Sequence, residues 1–204
     1  MTEPAESGAP HLDPARFDEI VEAAGPDSCI VVIDSWMGPL VRAWCQPEDV
    51  WQEALAQSWR DRAQHTWTGP RAWRTWVLSI ARNRVMDLSR TAGAAKRGGD
   101  TPPVRMTDLR APGGESVGDI FPAGSATPSR IASHRERAEI LKRALAGLPD
   151  DLRDVVRMHL FEERPMAEIA ADLGIGLSAA WYRFRRGTEQ FTEAVESLRT
   201  RSGG

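Results

Sequence analysis

The sequence predicts an all-α fold: two small helical domains joined by a long flexible linker. Three observations carry this. Apolar residues recur at helical spacing on both sides of the chain's middle. No stretch alternates with period two or closes in a hairpin signal. Between the helical stretches runs "TAGAAKRGGDTPPVRMTDLRAPGGESVGDIFPAGSATPSR", rich in Gly, Pro, Ser and Thr and poor in core residues. At about forty residues it is too long for an ordinary loop and reads as a linker. The expected organisation is a disordered tail over 1–13, a helical domain over 14–95, the linker over 96–133 and a second helical domain over 134–200.

The bulk properties agree. The chain has 204 residues, enough for one ordinary domain or two small ones, and 41% hydrophobic with 27% charged residues lets most of it fold. The N-terminus has no basic and apolar leader pattern, and the longest apolar run, "CIVVI", is far too short to cross a bilayer. A soluble cytoplasmic protein with no membrane partner is expected. Cys29 and Cys45 lack metal-ligand spacing and read as two small buried thiols. His11, His65, His134 and His159 are scattered and read as surface or loop residues. No H-E-x-x-H, nucleophile motif or glycine-rich loop after a strand is present. No metal, cofactor or catalytic residue is expected, and the chain does not read as an enzyme.

Along the first domain, Pro39 should bend or interrupt a helix through Met37–Trp44, and Pro47 should open the next. Seven of the eight tryptophans lie in Trp36–Trp76. Trp36, Trp44, Trp51 and Trp59 recur every seven or eight residues, two helical turns, and read as a Trp-rich core that includes Trp44 and Trp59. The segment "WTGPRAWRTWVLSIARN" differs: it mixes Trp67, Trp73 and Trp76 with Arg71, Arg74 and Arg82. Rings between cations suit unpaired nucleotides, because bases stack on rings while cations track phosphate. Asn83 offers both a donor and an acceptor to one extruded base edge. A core with basic flanks would give the same pattern, so both readings stand.

In the second domain, "MAEIAADLGIGLSAAWYRF" fits a helix-turn-helix. Ile169, Leu173, Ile175, Leu177 and Phe184 supply the apolar positions, Ala170 is small where the helices approach, and Gly174 stands where the turn needs a positive φ. Ser178 or Gly176 caps the second helix. That helix carries Tyr182, Arg183, Arg185 and Arg186, suited to base edges and phosphates in a major groove. Leu177, Ala180, Trp181 and Phe184 follow i, i+3, i+4, i+7, a core stripe, with Trp181 about 50° off its centre. A ring at that border packs on one side and stays open on the other.

Together these segments resemble an extracytoplasmic-function (ECF) type RNA polymerase sigma factor. "PEDVWQEALAQSWRD" and "RAWRTWVLSIARNRVMDLSR" are similar to its region 2, and "LAGLPDDLRDVVRMHLFEERPMAEIAADLGIGLSAAWYRFRRG" to its region 4. The resemblance implies that region 2 is 14–95 and region 4 is 134–200. It implies that Asp49, Gln52 and Glu53 bind the β′ clamp helices of core RNA polymerase, whose β flap is the other contact. Trp73, Arg74, Trp76, Arg82, Asn83, Arg84 and Arg90 would serve the -10 element. Ser178, Trp181, Tyr182, Arg183, Arg185 and Arg186 would serve the -35 element. Promoter DNA and polymerase are then the partners; an anti-sigma factor is compatible with the sequence and unshown by it. Position 181 departs from the family, which usually has Lys or Arg there.

The net charge of −3 fits a factor that gains affinity from a partner, since a stand-alone DNA binder is usually basic. The basic patches are local, at Arg82–Arg97 and Arg183–Arg186. Two alternatives remain: a conventional helix-turn-helix regulator with a helical effector domain, and a polymerase-binding module that does not initiate.

Overall fold

A computed structural model describes residues 14–64, 69–96 and 128–202. Every regular element among them is helical. In order these are α1 (Pro14–Ala23), α2 (Pro26–Trp36), α3 (Pro39–Arg42), α4 (Pro47–Arg60), a 3₁₀ turn (Arg62–Gln64), α5 (Pro70–Lys96), α6 (Pro128–Ala146), α7 (Asp150–Val156), a π turn (Arg157–Phe161), α8 (Met166–Asp172) and α9 (Leu177–Ser202). The expected tail, Trp67, His11, His65 and linker residues 97–127 lie outside the described residues. None of the described helices is long and apolar enough to cross a membrane.

Proline sets the punctuation. The helices α1 to α6 all begin on one: Pro14, Pro26, Pro39, Pro47, Pro70 and Pro128. A proline there loses nothing, because the first N–H of a helix has no partner inside it, and its fixed φ already suits the helix. The expected interruption near Pro39 is present, with α2 ending at Trp36 and α3 starting at Pro39. Pro47 opens α4, whose start is tied by the Gln46 N–H donating to Asp49 Oδ2 at 2.9 Å.

The run "CIVVI" lies in α2, and Cys29 to Ile33 are all buried. A helix that is apolar all round must be covered all round. Helix α2 is covered by α4, α5, α6 and the π turn. Helix α5 packs by one stripe, Trp73, Val77, Ala81, Val85, Leu88 and Ala92, spaced by three or four residues.

The two helical halves do not stand apart. One continuous core joins Phe17, α2, α4 and α5 to Ala138, Leu145, Phe161 and Phe191 of the C-terminal half. Its rim is charge-matched. Arg130 and His134 of α6 reach Glu22 of α1 at 2.6 and 3.1 Å, Arg135 reaches Glu48 at 3.6 Å, and Lys142 reaches Asp34 at 3.8 Å. In the other direction, Arg71 and Arg74 of α5 pair with Glu163 at 2.8 and 3.0 Å.

Several expectations are corrected here. Trp44 is 42% exposed, because α3 is a single turn whose inward position is taken by Val41. Trp59 does pack, edge-on to Phe17 at 4.9 Å, and Trp51 is core. His134 is buried on α6 and His159 half-buried in the π turn, so neither is a surface or loop residue. Cys29 and Cys45 are free and buried, as expected.

Candidate nucleic-acid interface

The C-terminal site is built on one turn. Helix α8 ends in a Schellman motif: the Gly174 N–H donates to the Ala171 carbonyl and the Ile175 N–H to the Ala170 carbonyl at 3.0 Å. That geometry requires a left-handed residue, and Gly174 has φ +63°. The Ala180 N–H donates to the Gly176 carbonyl at 3.0 Å, which makes Gly176 rather than Ser178 the N-cap of α9. Val155, Met166, Ile169, Ala170 and Ala180 form the small core between the helices, with Leu173, Ile175 and Phe184 packed on its edge. Leu177 does not join them: it is 49% exposed, at the first residue of α9.

Helix α9 turns Ala180, Phe184, Gly187 and Phe191 inward. Gly187 marks the closest approach, since a Cβ there would lie 2.6 Å from Val156 Cγ2. The opposite strip presents Ser178, Trp181, Tyr182, Arg185 and Arg186 to solvent. Arg183 is turned aside towards Asp151 at 3.6 Å. Trp181 is 49% exposed and stands edge-on to His159 (5.5 Å) and Phe184 (6.0 Å). It is the border residue the wheel predicts. Its inner support comes from the π turn, which carries His159 into place, and helical periodicity gives no sign of that turn.

Residues 138–191 match the family described as Sigma-70, region 4. This match spans the C-terminal part of α6, α7, α8 and the first half of α9. It gives the C-terminal half a sigma-factor-like, DNA-binding role in transcription, and region 4 in general works with RNA polymerase and promoter DNA. No curated protein matches the chain. Within region 4, the exposed strip of α9 is the second helix of the helix-turn-helix, the element that enters the major groove in such motifs.

The candidate -10 residues on α5 separate into two groups. Trp73 is fully buried, edge-on to Phe17 (5.8 Å) and Trp51 (6.4 Å). Arg74 is buried too, donating to the carbonyls of Ala24 and Phe161 and to Cys29 Sγ. The expectation of a ring and a cation open to nucleic acid at these two positions is not met in this arrangement. They sit one turn into α5 on its inward side, where the large ring fills the core. Trp76 is half-buried, and Arg84 pairs with Glu53 at 2.7 Å. Arg82 and Asn83 are exposed, as is Arg90, which pairs with Asp87. With Thr75, Ser79 and Met86 these three fall within about 100° of arc on α5, one continuous outward face.

The candidate polymerase residues on α4 already have internal partners. Asp49 caps its own helix, Glu53 holds Arg84, and Gln52 lines a small crevice with Ile131 and His134 of α6. Sequence reasoning missed Glu163. It adopts φ +54°, the one non-glycine positive φ among the described residues, and binds two arginines of α5. The acidic pair in "FEERP" was its only trace in the sequence.

Proposed function

We propose that this protein is an ECF-type sigma factor: it binds core RNA polymerase, reads the -35 and -10 promoter elements and promotes promoter melting. The observation that carries the reading is the region 4 match laid on a helix-turn-helix whose second helix presents an open strip with Arg185 and Arg186. The outward face of α5, with Arg82, Asn83 and Arg90, supplies a second basic surface. In this reading residues 14–95 act as region 2, 96–133 as the connecting linker and 134–200 as region 4. Asp49, Gln52 and Glu53 meet the β′ clamp helices, and region 4 meets the β flap. No bond is made or broken by the chain; captured bases supply the free energy of melting.

The closed arrangement sets a condition. Elements centred about 25 base pairs apart are separated by roughly 85 Å of duplex. A compact chain of this size is only about 40 Å across. The halves must therefore part before one molecule touches both elements. Parting would also release Arg74 from Glu163 and the Phe161 carbonyl of the C-terminal half, while Trp73 stays packed against Phe17 and Trp51 of its own half.

The deciding experiment is run-off transcription from a genomic promoter library with purified chain and core polymerase. Promoter-dependent transcripts are expected. A chain that fails to bind polymerase ends the sigma reading. Binding without initiation would favour a polymerase-binding module, a reading to which the burial of Trp73 and Arg74 lends support.

A further inference from the structure

The recognition strip of α9 is unusual in its chemistry. It exposes two large rings beside its arginines, Trp181 at 49% and Tyr182 at 55%. On the helix wheel Arg185 falls between them in azimuth, one turn further on. Arg185 forms no ion pair among the described residues, so its guanidinium is free for a ligand. Glu189 and Glu193 continue the same strip. Their charge opposes phosphate, so the segment that can enter a groove ends near Arg186.

A ring can read little by hydrogen bonding: the indole N–H is one donor with no acceptor. What the major groove offers an apolar surface is the 5-methyl group of thymine. A free arginine beside it matches guanine, whose O6 and N7 take a bidentate guanidinium. The inner edge of Trp181 is supported by His159 and Phe184, and its other side is open to the groove. We propose that Trp181 and Tyr182 read thymine methyl groups flanking a guanine taken by Arg185, so that the -35 site of this protein is selected by methyl contacts where its family commonly places a cation. The proposal rests on the promoter-reading function above and names the base chemistry of that site.

The test starts with the unaltered full-length chain. Duplexes are selected from a randomised library in the presence of bacterial core RNA polymerase. Each thymine of the enriched site is then replaced by deoxyuridine, which removes only the methyl. At the thymines facing the strip, affinity should fall about fourfold per methyl. Trp181→Ala should bind more weakly and lose that sensitivity at its own thymine, while Tyr182→Phe, which keeps the ring, should retain it. A thermal melt confirms that each variant is folded. If a site is enriched and deoxyuridine is silent at every thymine that Trp181→Ala affects, this proposal fails and the promoter reading stands. If no sequence is enriched at all, the promoter reading fails and takes this proposal with it.

Discussion

Arg74 of α5 donates through Nε to Glu163 Oε1 at 3.0 Å, across the boundary between the two helical halves. The same guanidinium caps the carbonyls of Ala24 and Phe161. Arg74→Met keeps the stem and removes all of these bonds. It should cost about 2–4 kcal/mol of unfolding free energy, because carbonyls and a carboxylate are left behind without their donor. Glu163→Gln should cost less, about 1 kcal/mol, since Glu163 is one-third exposed and its charge is partly screened. Urea titrations of both variants and of the double variant measure the coupling between them.

The charge-matched rim should govern how readily the halves part. Glu22 meets Arg130 and His134 of α6. Glu22→Arg places like charges there, and the radius of gyration in solution scattering should rise above the roughly 17 Å of a compact chain of this length. Combining it with Arg130→Glu should restore the compact value. No change in either variant would mean that the apolar core alone holds the closed form.

Gly187 tests the seat of the recognition helix. An added Cβ would stand 2.6 Å from Val156 Cγ2 and 3.3 Å from Leu152 Cβ. Gly187→Ala gains helix propensity of up to about 1 kcal/mol but must push α9 off α7. The net effect should be destabilising by about 1–2 kcal/mol in a thermal or urea melt. A stabilised variant would mean the two helices slide apart freely.

Burial pushes the Cys29 thiol up to about 12, a rise that the neighbouring Arg74 charge reduces but does not cancel. The unfolded thiol titrates near its ordinary value of about 8.5. The folded chain thus keeps a proton that the unfolded chain loses. This contribution is complete below about pH 8.5 and is lost as pH rises from there towards 12, by up to about 1.4 kcal/mol per pH unit. Cys29→Ala should lack that slope, and the difference between the two chains' urea midpoints from pH 8 to 10 isolates it. In the native state at pH 8, Cys29 should resist iodoacetamide until the chain is unfolded.

Arg185 and Arg186 are exposed on the strip assigned to DNA. Each changed to Ala should weaken promoter-dependent initiation and lower the salt slope of DNA binding by about one if its contact is a phosphate. Unchanged output and slope in both would place the DNA face elsewhere on α9.

Much of this architecture was legible in the sequence. The all-α class, the helix opened by Pro47 and the turn at Gly174 follow from local rules that tertiary context did not override. Trp181 fell on its border because the wheel depends only on helix geometry. Trp44 and Leu177 escape the pattern because one lies just past α3 and the other opens α9, where periodicity no longer fixes a face. Trp73 and Arg74 were ambiguous for a different reason. A ring beside a cation looks the same whether it faces a nucleotide or a neighbouring helix, and only the packed chain chooses. Glu163 and the π turn break the helical repeat, so a search for that repeat passes over them.

The continuous core has a practical consequence for dissecting the protein. Ala138, Leu145, Phe161 and Phe191 are buried together with residues of α2, α4 and α5. The described chain should then melt in one cooperative transition. A C-terminal fragment made alone would carry a raw apolar flank where α2 had lain, and would tend to self-associate in solution. Helix α2, with Cys29 to Ile33 buried, would lose the cover of α6 and the π turn in the complementary fragment. In the intact chain each half thus serves as the other's shield from water.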